Sequence, residues 1–264
     1  MKEVPGKIAE YLSSTSYVSV GDLVERFGYK KTTAYAYLSR LSKKGKVTRV
    51  GCGKYRVGKT KVAEPPFPPR VREVANVILK KMPFSEFVVW GTENLADFSH
   101  YVMGRDAVFV EAKNQLVPKI IDTLLEGGVK AIVEPSKEEF KNLFTYFDRP
   151  VVVFKRREKY AAVKKGSLLL PRLERTLVDQ YYCITRRGFP FPLDEFGRIF
   201  YNVLRGRVLN IDMLKKYASR RGLRDEMLAL TVRFKEEYPE LEIWPQGEKG
   251  APADLIEEIV KGAT

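Results

Sequence analysis

Residues 30–57 read KKTTAYAYLSRLSKKGKVTRVGCGKYRV. Two lysines lead into a helical pattern, a basic corner follows, and two short β-like runs flank Gly51-Cys52-Gly53. Ala34, Leu38 and Leu41 are spaced i, i+4, i+7, so they share one face of a helix. Thr32 stands where an N-cap belongs, and Gly45 follows the last turn. Lys46–Val50 and Lys54–Val57 then read as paired strands across the tight Gly-Cys-Gly connection.

The residues upstream complete a small unit. Ile8 and Leu12, with Ala9 beside them, give a first helix its apolar face. Ser19-Val20-Gly21-Asp22 has the form of a capping box, a hydroxyl and a carboxylate each satisfying the other's backbone donor. It opens a second helix, Asp22 to Phe27, and Gly28 suits its left-handed end. Helix, turn and helix followed by a hairpin make a winged helix-turn-helix.

Opposite the buried line of the third helix (32–42) lie Thr32, Thr33, Tyr35, Ala36, Ser39 and Arg40. Such a narrow polar face fits a DNA major groove about 12 Å wide. Arg40 is able to bond guanine bidentately, and Thr or Ala to contact thymine methyls. Lys30 and Lys31 precede the helix, where backbone amides also face anions. Lys43, Lys44 and Lys46 follow it, while Arg49, Lys54 and Arg56 decorate the wing (46–57). These are expected to hold phosphate, giving affinity without sequence information. The competing reading leaves Tyr35 and Tyr37 half-buried, the lysines solvated and the unit a protein-interaction module.

Charge distribution favours DNA. The chain carries a net +14, and residues 1–70 alone account for +10 of it. Concentrated positive potential selects a polyanionic partner.

At 264 residues, with 44% hydrophobic and 12% aromatic content, the chain suits two domains with real cores. No run of eighteen apolar residues exists, and MKEVPGKIAEYL has helical periodicity instead of a signal-peptide core. A cytoplasmic protein with no membrane partner is expected. Cys52 and Cys183 are far apart and His100 is the sole histidine, which disfavours a disulfide, a zinc site or a Ser-His-Asp triad. No cofactor, metal or catalytic residue is therefore assigned. Six Asn and three Gln against 47 Lys and Arg is a composition expected of a thermophile.

Residues 62–69, VAEPPFPP, hold four prolines in eight positions and read as a stiff linker. The expected division is 1–61, a linker over 62–70, and a larger domain over 71–264. Beyond the linker a helical pattern (Val71, Val74, Val77, Ile78) precedes an apolar strand over 86–92. A helix-like stretch to Met103, a strand at Asp106–Val110, a helix at Leu116–Leu125 and strands at Val129–Val133 and Val151–Phe154 follow. Alternating β and α implies an α/β layer. From about Glu174 the chain reads as helical.

Two patterns resemble catalytic motifs. Gly91-Thr92 followed by Asp106 resembles the nucleotidyltransferase arrangement, in which Gly-Ser precedes two metal-binding carboxylates alternating on one strand. The alternate position here is Val108, so a degenerate nucleotidyltransferase-like core without activity is expected. Asp106 with Glu111-Ala112-Lys113 matches a nuclease motif only superficially, since no turn fits between them and the two acids point to opposite faces. These acids read as solvated surface.

The stretch 160–179, YAAVKKGSLLLPRLERTLVD, with its Leu173-Glu-Arg-Thr-Leu-Val-Asp179 run, resembles the AbiEi-like antitoxins, winged-helix regulators of viral-defence and toxin–antitoxin systems. The run from Leu193 to Leu230, with Ile211–Gly222 inside it, looks like that family's closing helices. The resemblance implies an archaeal-type transcriptional regulator that binds promoter or operator double-stranded DNA. In that family the C-terminal domain would serve toxin neutralisation or cooperative DNA contacts; apart from the resemblance, a contact with the transcription machinery and a monomer or DNA-assembled dimer are expected. From the residues themselves, Glu174–Arg175 reads as an ion pair at a helix start. Arg186, Arg187, Arg205, Arg207, Arg220, Arg221 and Arg224 read either as a second basic face or as an ion-paired surface.

The expected fold class is α+β: a winged helix-turn-helix plus a C-terminal α/β domain with a helical end. The expected function is sequence-specific DNA-binding regulation. The alternatives are a nucleic-acid-processing enzyme and an antitoxin acting by direct binding.

Overall fold

The computed structural model describes residues 6–15, 17–51, 53–58, 64–99, 106–156, 158–206, 209–239, 241 and 253–263. Cys52, His100, Met103 and Arg207, and the first two residues of the 62–70 stretch, lie outside them. The chain divides into two compact units, Met1–Val62 with Arg207–Asp212, and Ala63–Gly206 with Met213–Thr264.

In the first unit α1 (Gly6–Ser13), β1 (Tyr17–Ser19), α2 (Val20–Phe27), α3 (Lys31–Lys43), β2 (Val47–Gly51) and β3 (Lys54–Val57) follow in order. The strands form an antiparallel sheet ordered β1-β3-β2. The expected hairpin is therefore joined by a third strand, β1, which is too short to leave a period-2 signature. Ile8, Leu12, Val18, Leu23, Ala34, Leu38, Leu41, Val47 and Tyr55 make the core. Ala9 is exposed and contributes nothing to it. The i, i+4, i+7 line of α3 is thus buried as its spacing requires.

The second unit opens with α4 (Pro69–Lys81), whose first residue is a proline because an N1 position needs no N–H. Among the described residues six strands follow: β4 (Phe87–Gly91), β5 (Val108–Ala112), β6 (Ala131–Val133), β7 (Val151–Lys155), β8 (Ala162–Lys165) and β9 (Leu168–Pro171). They form one mixed sheet ordered β6-β7-β5-β4-β9-β8. Between β5 and β6 lies α5 (Val117–Glu126), and between β6 and β7 lie α6 (Lys137–Lys141) and α7 (Leu143–Tyr146). Phe87, Val89, Val108, Val110, Val151 and Val153 pack on one face with α4 and α5. Val88, Trp90, Phe109, Val152 and Phe154 pack on the other, with Phe140, Cys183 and Phe189. This alternation is the pleat read at period 2, with both faces covered.

The expected strand at Asp106–Val110 begins two residues later, at Val108, where pairing with Gly91 starts. Asp106 precedes the ladder and accepts a hydrogen bond from Thr92 Oγ1 at 3.4 Å. After β9 the described elements are helical: α8 (Leu173–Tyr182), a π-helical turn at Cys183–Arg187, α9 (Leu193–Arg205), α10 (Ile211–Arg221), α11 (Arg224–Glu237) and α12 (Ala253–Lys261).

Candidate nucleic-acid interface and a buried ionic core

The caps of α2 set the direction of α3. Ser19 N–H donates to Asp22 Oδ2 at 2.6 Å, and Asp22 N–H donates to Ser19 Oγ at 3.0 Å, a complete capping box. At the other end Gly28 takes φ 67° and its N–H reaches the Val24 carbonyl at 3.0 Å. That left-handed residue turns the chain into α3 within three positions.

Thr32 does not cap α3. Lys30, extended at φ −61° and ψ 142°, occupies the cap position, and its carbonyl accepts from Thr33 and Ala34 N–H at 2.9 and 3.0 Å. No side chain caps the helix, so its first amides present their dipoles to an approaching anion. Lys30, Lys31, Thr32, Ser39, Arg40, Lys43, Lys44, Lys46 and Arg49 are exposed. Thr33, Tyr35, Ala36, Lys54 and Arg56 are half-buried.

Tyr35 departs from its expected place. It packs on the core of the unit, and its hydroxyl lies so near Gly53 that a Cβ there would come within 3.2 Å of it. The outward polar face of α3 accordingly narrows to Lys31, Thr32, Ser39, Arg40 and Lys43, with Thr33 and Ala36 at its margin. Arg40 holds its guanidinium 5.6 Å from the centre of the Tyr37 ring.

Behind the turn runs an aromatic ladder the sequence reading did not single out. Tyr11 meets Phe27 at 5.7 Å, Phe27 meets Tyr29 at 6.2 Å, and Tyr29 meets Tyr37 at 5.3 Å between centroids. It braces α1, the α2–α3 turn and α3 together. Phe27, Tyr29 and Tyr37 straddle that turn, and their clustering there was the available signal.

The second unit holds the other concentration of functional groups. Glu111 and Asp179 are 2% and 0% exposed. Arg175 donates from Nη2 to Glu111 Oε2 at 2.6 Å and from Nε to Asp179 Oδ2 at 3.3 Å. Its Nη1 reaches the carbonyls of Glu158 and Tyr160 at 3.0 and 3.1 Å. Arg156 Nη1 stands 3.3 Å from Glu111 and 2.9 Å from Asp179. Arg221 Nε donates to Asp179 Oδ1 at 2.7 Å, and Tyr217 Oη donates to its Oδ2 at 2.6 Å. Trp90 Nε1 donates to Glu111 Oε1 at 3.3 Å.

Burial alone would raise the Asp179 carboxyl. Arg221, Arg156 and Arg175, with the Tyr217 hydroxyl, instead bring it below the ordinary aspartate range. Burial, reinforced by Asp179 and Glu111, pushes the Tyr217 phenol well up.

Two expectations change, and of the two readings open for the arginines of the helical end the ion-paired one holds for Arg186, Arg187, Arg220 and Arg221. Glu111 is not solvated strand-end surface, because the pleat turns it inward beside Phe109 and Arg175 neutralises it. Arg175 pairs with Glu111 and Asp179 and not with its neighbour Glu174. The arginines of the helical end do not share one basic face: Arg221 enters the buried core, Arg186 pairs with Glu226, Arg187 with Glu134 and Arg220 with Glu158.

Around Asp106 the geometry is structural. Thr92 Oγ1 donates to Asp106 and accepts from Ala107 N–H at 3.2 Å, while Val108 is buried in the sheet. Beside it the Glu93 carboxyl is raised, by burial and then by the charge of Asp106. Among the described residues no group of three or more His, Cys, Asp or Glu is placed to hold a metal ion. No described helix is long and apolar enough to cross a membrane.

Comparison with known proteins finds two matches. Residues 33–236 match a family of unknown function, DUF6577, and residues 5–57 match the DeoR-like helix-turn-helix domain. No curated protein matches the chain.

Proposed function

The chain belongs to the DUF6577 family of unknown function, and on that premise we propose that it is a sequence-specific DNA-binding transcriptional regulator. The observation that carries this reading is α3 itself. It lies within the stretch similar to DeoR-like helix-turn-helix domains and turns Lys31, Thr32, Ser39, Arg40 and Lys43 to solvent. Its first turn has no side-chain cap. In this reading α3 enters the major groove and Arg40 reads a base edge. Lys30, Lys31, Lys43, Lys44 and Lys46 hold phosphates, and Arg49, Lys54 and Arg56 lay the wing on the backbone.

The second unit is read as a non-enzymatic interaction domain, a nucleotidyltransferase-like layer that has lost its carboxylate pair at Val108. The Leu173–Asp179 run supports an AbiEi-like antitoxin role, with a toxin or the transcription machinery as protein partner. The charge-rich, amide-poor composition supports a thermophilic, archaeal source.

Selecting bound duplexes from a random pool with the full chain, then measuring affinity by anisotropy across a salt series, tests the DNA reading. Arg40→Ala is expected to erase the preference for the selected duplex over random DNA. Lys43→Ala is expected to weaken both alike and to flatten the log–log salt slope by about 0.9. Equal loss on both duplexes for both variants would remove α3 from the groove.

A further inference from the structure

The buried core of the second unit is not electrically balanced. Among the described residues, Arg156, Arg175 and Arg221 surround only two carboxylates, Glu111 and Asp179. The nearby Glu158 is matched by Arg220 at 3.1 Å, so it does not supply the missing charge. Nor do the other groups able to become anionic. Burial, with Asp179 close by, keeps the Tyr217 phenol and the Cys183 thiol protonated. One guanidinium charge is therefore left over, in a place where an uncompensated ion is costly.

The surplus has a definite location. Arg175 has every guanidinium nitrogen engaged and is 0% exposed. Arg156 and Arg221 meet at a single atom, Asp179 Oδ1, at 2.9 and 2.7 Å, through Nη1 and Nε respectively. Their side chains are 16% and 15% exposed, and neither holds a buried nitrogen without a partner. Their remaining N–H groups consequently reach the surface. Both guanidiniums are also fixed in plane, Arg221 over Tyr182 at 3.8 Å and Arg156 over Tyr217 at 5.5 Å. Two immobilised, adjacent guanidinium forks with spare donors and one unmatched charge are built for a tetrahedral oxyanion.

We propose that Arg156 and Arg221 form an oxyanion site that takes a phosphate group, from a phosphorylated small molecule or from a nucleic-acid backbone. Asp179 orients both forks by holding the near side of each.

Thermal unfolding of the full chain in inorganic phosphate and in pyrophosphate, against chloride at equal ionic strength, tests this. Saturating phosphate is expected to raise Tm by about 2–4 °C over chloride. Arg221→Lys, which keeps the charge but loses the fork, is expected to abolish that rise. If that variant does not fold, phenylglyoxal labelling of the unaltered protein decides. Phosphate should slow modification of Arg156 and Arg221 but not of Arg233, which is paired on α11. A Tm rise no larger than in chloride, a rise that persists in Arg221→Lys, or labelling indifferent to phosphate would overturn the site. The source of the phosphate follows from random-sequence duplex affinity: a drop in Arg221→Lys assigns the backbone, no change assigns a small molecule.

Discussion

Arg175 Nη2 stands 2.6 Å from Glu111 Oε2, with the two side chains 0% and 1% exposed. The contact fastens α8 to β5 across sixty-four positions of sequence. Leaving either ion without the other should cost more than the pair itself contributes, because Arg175 then keeps, as an ion pair, only its 3.3 Å contact to Asp179, and Glu111 only its 3.3 Å contact to Arg156, in a buried place. Glu111→Gln and Arg175→Met are each expected to destabilise the second unit by about 3–5 kcal/mol, read from urea unfolding at constant m-value. The combined Glu111→Leu/Arg175→Met variant should recover part of that loss. Additive losses in the double variant would mean the two groups do not act on each other.

Asp179 gives the fold an acid limit. Its carboxyl is held below the ordinary range by Arg221, Arg156 and Arg175 acting against burial. A depressed folded-state pKa contributes stability above the unfolded value of about 3.9, and loses it as pH falls through the folded value. Stability from this group should thus be constant near neutrality and decline only below about pH 4. Tyr217→Phe removes the 2.6 Å donor to Asp179 and should raise its folded-state pKa, so that the acid decline keeps its onset but becomes smaller and ends at a higher pH. An acid limb that is unchanged in Tyr217→Phe would detach Asp179 from the effect.

Ser19→Ala tests how the helix-turn-helix is held. The variant loses the Oγ acceptor for Asp22 N–H and leaves the Asp22 carboxylate with half of its reciprocal pair. A loss of about 1 kcal/mol in the stability of the first unit is expected, with amide exchange in α2 accelerated first. Exchange that speeds up in α3 but not in α2 would contradict the cap's local role.

Much of the first unit was legible because its signals are local. The capping box spans four residues and the α3 line eight, and both are buried or bonded as their spacing dictates. β1 escaped because three residues with only Val18 turned inward carry no periodicity. Thr32 misled because a hydroxyl near a helix start suits a cap, yet an extended Lys30 set the boundary two residues earlier. The ionic core was illegible for the opposite reason. Glu111 looks like an ordinary strand-end carboxylate until Arg175, Arg156 and Arg221 arrive from three other segments. Only the strand order β7-β5-β4-β9 brings those segments together.

Gly197 offers the sharpest packing test. It lies in α9 where α12 crosses, and a Cβ built there would sit 2.1 Å from the Ile259 carbonyl oxygen. The obstacle is backbone, so no rotamer change relieves it, and the only response is for α12 to move away. That movement would uncover Ile256, Ile259 and Val260, all now buried. Gly197→Ala is expected to cost about 1–3 kcal/mol, toward the upper end since the clash cannot be shared among side chains. Amides of α12 should lose hydrogen-exchange protection well before those of the sheet, since the helix is held to α9 by this close approach. An unchanged midpoint together with unchanged α12 protection would show that the two helices have room to spare and that glycine is not required at this crossing.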